Sequence, residues 1–227
     1  MVMGESGSGK TFSIKPFPPE EVGVLLCEKP RLPFKKAFKT YKVKNLVNDK
    51  DQVIRQAQVV YSVLSKPTKK VYVIDDSQYL MVNEFFDRMT EMGYQKFTEI
   101  GSHFRDIVHL VNDSLPDDVI VYFLHHSDED SATGKIKAKT IGRLLDDKLT
   151  LEGAFDIVLR SMVLDGQHVF RTQSNGLDTA KSPEEMFSAL DIPNDLCAVD
   201  AAIRSYYDLP PLISAEKAEV KSASTPA

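Results

Sequence analysis

The chain has 227 residues, which suits one hydrophobic core and not comfortably two. Its 42% hydrophobic and 27% charged content is that of a globular domain, and a net charge of −5 excludes a global basic field for nucleic acid. No stretch approaches the roughly 20 apolar residues of a membrane span, and no signal-peptide pattern opens the chain. Cys27 and Cys197 match no metal-ligand spacing and read as buried free thiols of a reducing compartment. The expectation is a cytoplasmic protein with one domain over residues 1–213 and a disordered Ala/Ser/Lys/Glu tail over 214–227.

Taken in order, short β-branched runs alternate with longer amphipathic stretches. This predicts an α/β fold with a mainly parallel sheet flanked by helices. Residues 1–3 are a stub of a first strand. A stub anchors the loop after it poorly, so a natural chain that begins before Met1 fits better than a very short strand. A helix is expected at 10–15, a strand at 22–27, and a helix at 50–65 capped by Asp49 or Asp51. A strand follows at 71–74. The stretch 82–112 is long for one helix, with Gly93 and Gly101 as breaks or bends. Strand 119–124 runs into a polar segment, 127–139, that reads as a mobile loop. Strands 155–163 and 167–172 are joined at Asp165-Gly166, a hairpin signal that predicts a C-terminal antiparallel pair. Helices close the chain at 182–190, with Pro183 in the first turn, and near 194–206.

The strongest motif comes first. Gly4-Glu5-Ser6-Gly7-Ser8-Gly9-Lys10-Thr11 matches G-x-x-x-x-G-K-[ST] without a mismatch, and Phe12 completes the candidate nucleotide-binding segment. Glycines let successive backbone N–H groups turn inward around phosphate oxygens. Lys10 is expected to reach the β- and γ-phosphates of a nucleoside triphosphate, and Thr11 to place its hydroxyl on Mg²⁺. Val71-Tyr72-Val73-Ile74-Asp75-Asp76 describes a buried strand with a carboxylate at its C-terminal end, where open α/β sheets bind ligands. Asp75 is the expected second Mg²⁺ ligand. Strand 22–27 ends in Glu28 at the same edge, a candidate to orient or deprotonate water, or else a surface partner of Lys29 or Arg31.

Strand 119–124 leads into His125-His126. If it lies beside 71–74, one of these histidines faces the γ-phosphate as a sensor, and at most one, because strand neighbours point to opposite faces. Lys135, Lys137, Lys139 and Arg143 are candidate contacts to a nucleic-acid backbone or to a neighbouring subunit's ATP, weighed evenly against a solvated charged face. No aromatic interleaves them. Residues 35–44 mix lysines with Phe38 and Tyr41, at a spacing that favours core over a stacking platform.

The order of these motifs resembles the RecA-like branch of P-loop ATPases. VYVIDDSQYLM, VIVYFLHHSDED and KTIGRLLDDKLTLEGAFDIVLR resemble phage-encoded AAA/RecA-like nucleotide-binding proteins, a group that includes single-strand-annealing recombination ATPases. The likeness spans residues 4–187. It implies a RecA-like P-loop NTPase core and a Mg-dependent ATPase with Lys10, Glu28, Asp75 and His125 or His126 at the site. It further implies homo-oligomers on single-stranded DNA in phage recombination or replication, contact with a single-strand-binding protein, the host cytoplasm, and no membrane. An in-trans finger would come from Arg143, Arg160 or Arg171. The competing readings are an AAA-type ATPase that remodels a protein partner, and a nucleotide switch that holds one.

Overall fold

The computed structural model describes residues 1–29, 31–131, 133–142 and 150–212. Its strands are β1 (Val2–Gly4), β2 (Val22–Leu26), β3 (Lys39–Lys42), β4 (Leu46–Val47), β5 (Val53–Ile54), β6 (Val71–Asp75), β7 (Ile120–Glu129), β8 (Ile136–Ala138), β9 (Leu159–Leu164), β10 (Gln167–Arg171) and β11 (Asp191–Pro193). Helices are α1 (Gln56–Leu64), α2 (Tyr79–Asp87), α3 (Gln95–Ser114) and, last in the chain, α4 (Leu196–Tyr206). The main sheet runs β11-β10-β9-β1-β7-β6-β2-β3, with β8 attached to β7. From β9 to β3 every pairing is parallel, while β10 and β11 are antiparallel, as the Asp165-Gly166 turn predicts. Both turn residues have positive φ, 50° and 78°, the geometry that a two-residue hairpin needs.

Helices cover one face and a mixed layer the other. Met3, Leu25, Tyr72, Ile74 and Phe123 pack under α1, α2 and α3 with Val60, Leu64, Ile100, Phe104 and Ile107. Val2, Val24, Val73, Leu124 and Phe170 face Ile14, Phe17, Phe38 and the α4 residues Leu196, Val199 and Ile203. Coverage on both sides explains why β2 and β6 are buried along their whole length and read as unbroken apolar runs. Arg204 and Tyr122 both bond the buried Asp200 carboxylate, at 2.6 and 2.9 Å, which fastens α4 to β7. Cys27 is buried and Cys197 half-buried, both as free thiols. No helix among the described residues is long and apolar enough to cross a membrane.

The stub strand is central. Although only three residues long, β1 is buried and pairs with β7 and β9 on its two sides. Several expected elements differ. The helix at 10–15 is a single 3-10 turn, Phe12–Ile14, because Pro16 has no N–H and its ring would meet the carbonyl four residues back. The helix at 50–65 begins only at Gln56. Asp49 and Asp51 sit instead in the turn of the β4–β5 hairpin, where the Asn48 side chain accepts from Lys50 N and Gln52 N. The stretch 82–112 divides at Gly93, whose φ is +89°, whereas Gly101 is buried inside α3. The strand expected over 155–163 starts at Leu159.

Two corrections concern longer segments. Residues 127–129 and 136–138 are strand and not loop: β7 continues to Glu129 and pairs antiparallel with β8, with Ile136 and Ala138 buried at a spacing of two. Residues 182–190 form no helix. Glu185 has φ +66°, and Thr172 holds Ala189 and Leu190 alongside the end of β10 through its hydroxyl and N–H. The tail at 214–227 lies outside the described residues.

Candidate nucleotide site

At Gly4 the chain leaves the middle of the sheet and turns across its C-terminal edge. Gly7 and Gly9 take φ of +83° and +102°, which only glycine adopts without strain. Space is as restrictive as torsion. A Cβ on Gly9 would lie 2.9 Å from His168 Nδ1 and 3.1 Å from Asn194 Oδ1, and one on Gly4 would lie 2.4 Å from Ser161 O. The back of the loop is held by the antiparallel strands: Ser161 Oγ and His168 Nδ1 each donate to Ser8 O at 2.9 Å, and Asn194 Nδ2 donates to Ser161 Oγ at 3.3 Å.

Lys10 is 5% exposed and curls inside the loop, donating to Gly4 O at 2.7 Å and Glu5 O at 2.8 Å. Burial lowers its pKa to about 8, against the pull of Asp76 and Asp75. Thr11 Oγ1 donates to Asp75 Oδ1 at 2.8 Å, joining the loop to the end of β6 across 64 residues of sequence. Burial also raises the Asp75 pKa to about 6, even though the Thr11 hydrogen bond favours the carboxylate. Among the described residues no three His, Cys, Asp or Glu side chains are grouped to hold a metal ion by themselves.

Asp76 has φ +58°, which turns its side chain back into the site. Burial opposes its charge, but the hydrogen bond from His126 and the nearby Lys29 outweigh burial, so its pKa is lowered. His126 Nε2 lies 3.1 Å from Asp76 Oδ1, and Lys29 Nζ lies 3.4 Å from Asp76 Oδ2. These groups line a cavity of about 410 Å³ together with Lys10, Thr11, Phe12 and His168.

The register of β7 separates the two histidines. Gly4 pairs with His126 and Met3 with His125, so His126 shares the face of the loop while His125 lies under Phe104 of α3. His125 Nε2 donates to Lys139 O at 2.7 Å and Nδ1 accepts from Ser77 Oγ at 2.8 Å, which fixes its tautomer. Burial lowers its pKa to about 4, so the ring is neutral at physiological pH. Of the two, His126 lines the cavity and His125 does not.

No family model and no curated protein matches this chain. The reading of the site therefore rests on its own geometry. Among the described residues, four buried side-chain polar atoms lack a close hydrogen bond: Ser8 Oγ, Gln78 Nε2 and Asn194 Oδ1, and Asp76 Oδ2, which has only the 3.4 Å ion pair with Lys29. All four belong to the loop or to residues that touch it or His126. Unsatisfied buried groups are costly, and their concentration at one place marks a surface arranged for a polar ligand.

Other expected site residues are placed less tightly. Glu28 is exposed and accepts from Asn83 Nδ2 at 3.3 Å, without lining the cavity. Lys135, Lys137 and Lys139 stand on the β7–β8 hairpin and share it with Asp128, Glu129 and Asp130; Lys137 pairs with Asp130 at 3.9 Å. Arg143 lies outside the described residues. Arg171 is committed to both oxygens of Asp191 at 3.0 Å, and Arg160 bonds Asp178 at 3.1 Å.

Sequence reasoning missed Lys29, Ser161, His168 and Asn194. Lys29 carries one local signal, its place directly after the carboxylate that follows β2. The other three carry none, because they meet the loop only through the pairing of β9 with β1, β10 with β9 and β11 with β10.

Proposed function

We propose that the protein is a Mg-dependent ATPase with a RecA-like P-loop core. In this reading it acts on single-stranded DNA as an oligomer in phage recombination or replication, in concert with a single-strand-binding protein. The 2.8 Å bond between Thr11 and Asp75 carries the nucleotide part of the reading. A hydroxyl and a carboxylate brought together beside a glycine loop fit magnesium, which takes one or two protein ligands and fills its shell with phosphate oxygens and water. Bound between Thr11 and Asp75 it would neutralise charge on the β- and γ-phosphoryl oxygens. Backbone N–H groups of Gly7–Thr11 would hold the phosphates, Lys10 would turn from the loop carbonyls onto the terminal phosphate, and His126 would sense that phosphate from β7.

Support for the DNA part is the path away from His126. Lys139 N donates to His126 O at 2.8 Å and Lys139 O accepts from His125, so both histidines hold the return strand of the lysine-bearing hairpin. A change at His126 has a short mechanical route to Lys135, Lys137 and Lys139. The deciding experiment is ATP hydrolysis by the purified protein with and without single-stranded oligonucleotide, beside a Lys10→Ala control. Stimulation that vanishes in the control supports the reading, while turnover indifferent to DNA sinks the DNA part.

One observation favours a nucleotide switch that holds a protein partner. Glu28 stands away from the cavity, and Phe86, Met89, Met92 and Tyr94 are exposed together around the α2–α3 connection. Under that reading a variant that binds ATP without hydrolysing it keeps the cellular effect; under the ATPase reading it loses it. Either reading requires the loop conformation. Gly9→Ala is therefore expected to weaken ATP binding at least about tenfold in calorimetry, from about 1–3 kcal/mol of backbone strain and the contact with His168 and Asn194.

A further inference from the structure

Resting on the hydrolysis reading above, we propose that Lys29 is a catalytic residue acting in cis. Its ammonium, held in reserve on Asp76, moves onto the γ-phosphoryl oxygens of bound ATP as the bond to the leaving ADP breaks. A transferring phosphoryl group needs cationic stabilisation beyond the loop lysine, from the same chain or a neighbour. The arginines named for that task in a neighbour are Arg160 and Arg171, committed to Asp178 and Asp191, and Arg143, outside the described residues.

Lys29 is already in the cavity. It lines the same cavity as Lys10, Thr11 and His126, and its ammonium is 3.4 Å from Asp76 Oδ2, a buried oxygen held by this ion pair. The Lys29 side chain is 59% exposed and the Asp76 side chain 3%. The carboxylate is fixed and the ammonium free to swing, so an anion in the cavity competes for Lys29 while Asp76 keeps its bond to His126. In the step, a water oxygen bonds to the γ-phosphorus and its proton passes to solvent. The bond from that phosphorus to the β-phosphate oxygen breaks with its electron pair on ADP, and Lys29 contributes N–H donors and charge without exchanging a proton.

The test compares wild type, Lys29→Ala and Lys29→Arg in single-turnover ATP hydrolysis over a range of protein concentrations, with ATP and ADP affinities from calorimetry. Lys29→Ala is expected to slow turnover by about 10² or more. It should also cut the preference for ATP over ADP about tenfold while leaving ADP affinity within about threefold. Lys29→Arg recovers most of the rate, and the wild-type rate at saturating ATP is independent of protein concentration. Turnover within about threefold of wild type in Lys29→Ala, with the ATP preference unchanged, overturns the assignment and leaves the ATPase reading intact. If wild type binds ATP without turnover, the hydrolysis reading fails and the cis role falls with it. Absence of nucleotide binding by wild type overturns both.

Discussion

Replacing Asp75 by asparagine is expected to stabilise the fold and abolish magnesium-dependent turnover. The carboxylate is 2% exposed, and burial holds its pKa at about 6, above the ordinary 3.8. A raised carboxylate pKa means that the folded state binds the proton more tightly than the unfolded chain. Ionisation at pH 7 therefore costs stability, on the order of 3 kcal/mol for a shift of this size. Asparagine removes the charge and keeps an oxygen for Thr11. The expected gain in melting temperature at pH 7 is roughly 6–12 °C for a domain of this length. The gain should shrink as the pH falls through about 6, because wild-type Asp75 then becomes neutral as well. Calorimetric melting of both proteins between pH 4 and 8 checks this. A variant that melts at or below the wild-type temperature at pH 7 contradicts the account of Asp75 as a strained charge awaiting a cation.

Lys10→Ala has the opposite balance. The expected loss is about 10²–10³ in turnover, the cost of removing one preorganised donor from a site of developing charge. The fold should not be destabilised, since losing two hydrogen bonds to its own loop is offset by no longer burying the charge. An unchanged melting temperature with turnover gone separates a ligand-facing lysine from a structural one. The wild-type protein should also show a pH signature. With the Lys10 pKa lowered to about 8, the ammonium prevails at neutral pH and the neutral amine at pH 9. A bound phosphate stabilises the ammonium, so binding above pH 8 requires uptake of a proton. ATP affinity should fall as the pH rises through about 8, approaching tenfold per unit. Calorimetry in buffers of different ionisation enthalpy counts the proton directly, and affinity flat from pH 7 to 9.5 would contradict the assignment.

The two variants bracket what the site does energetically. Asp75 and Lys10 are each held against the preference of burial, and Asp76 keeps its charge only through His126 and Lys29. Stability is given up locally so that charged groups wait, largely dehydrated, at the edge of the sheet. Under the proposed function, a bound nucleotide with its cation would supply the partners that these groups lack.

Much of this arrangement was legible in the residues, and the legible part was local. A glycine-lysine-threonine loop, an acid at the end of an apolar run and an Asp-Gly turn each act within a few residues, where torsional limits and strand burial dominate. They were enough for the loop, for Asp75, for the parallel core and for the C-terminal hairpin. Period and propensity failed where a distant segment overruled them. The turn after the loop is too short to be a helix because of Pro16, a local signal that was there to be read. Residues 182–190 are different: they run irregularly because Thr172 binds their carbonyls, and no window of that length contains this fact.

The same division applies to the site. The sequence by itself determined that one of two adjacent histidines at most could face a ligand, since strand side chains alternate. Only the tertiary structure decided that His126 is the one lining the cavity, because that depends on the register of β7 against β1, a pairing across more than a hundred residues. Tertiary structure alone also brought Ser161, His168 and Asn194 behind the loop and Lys29 onto Asp76. Local torsions and burial patterns are written residue by residue, whereas register and cross-sheet contacts exist only once the strands have paired.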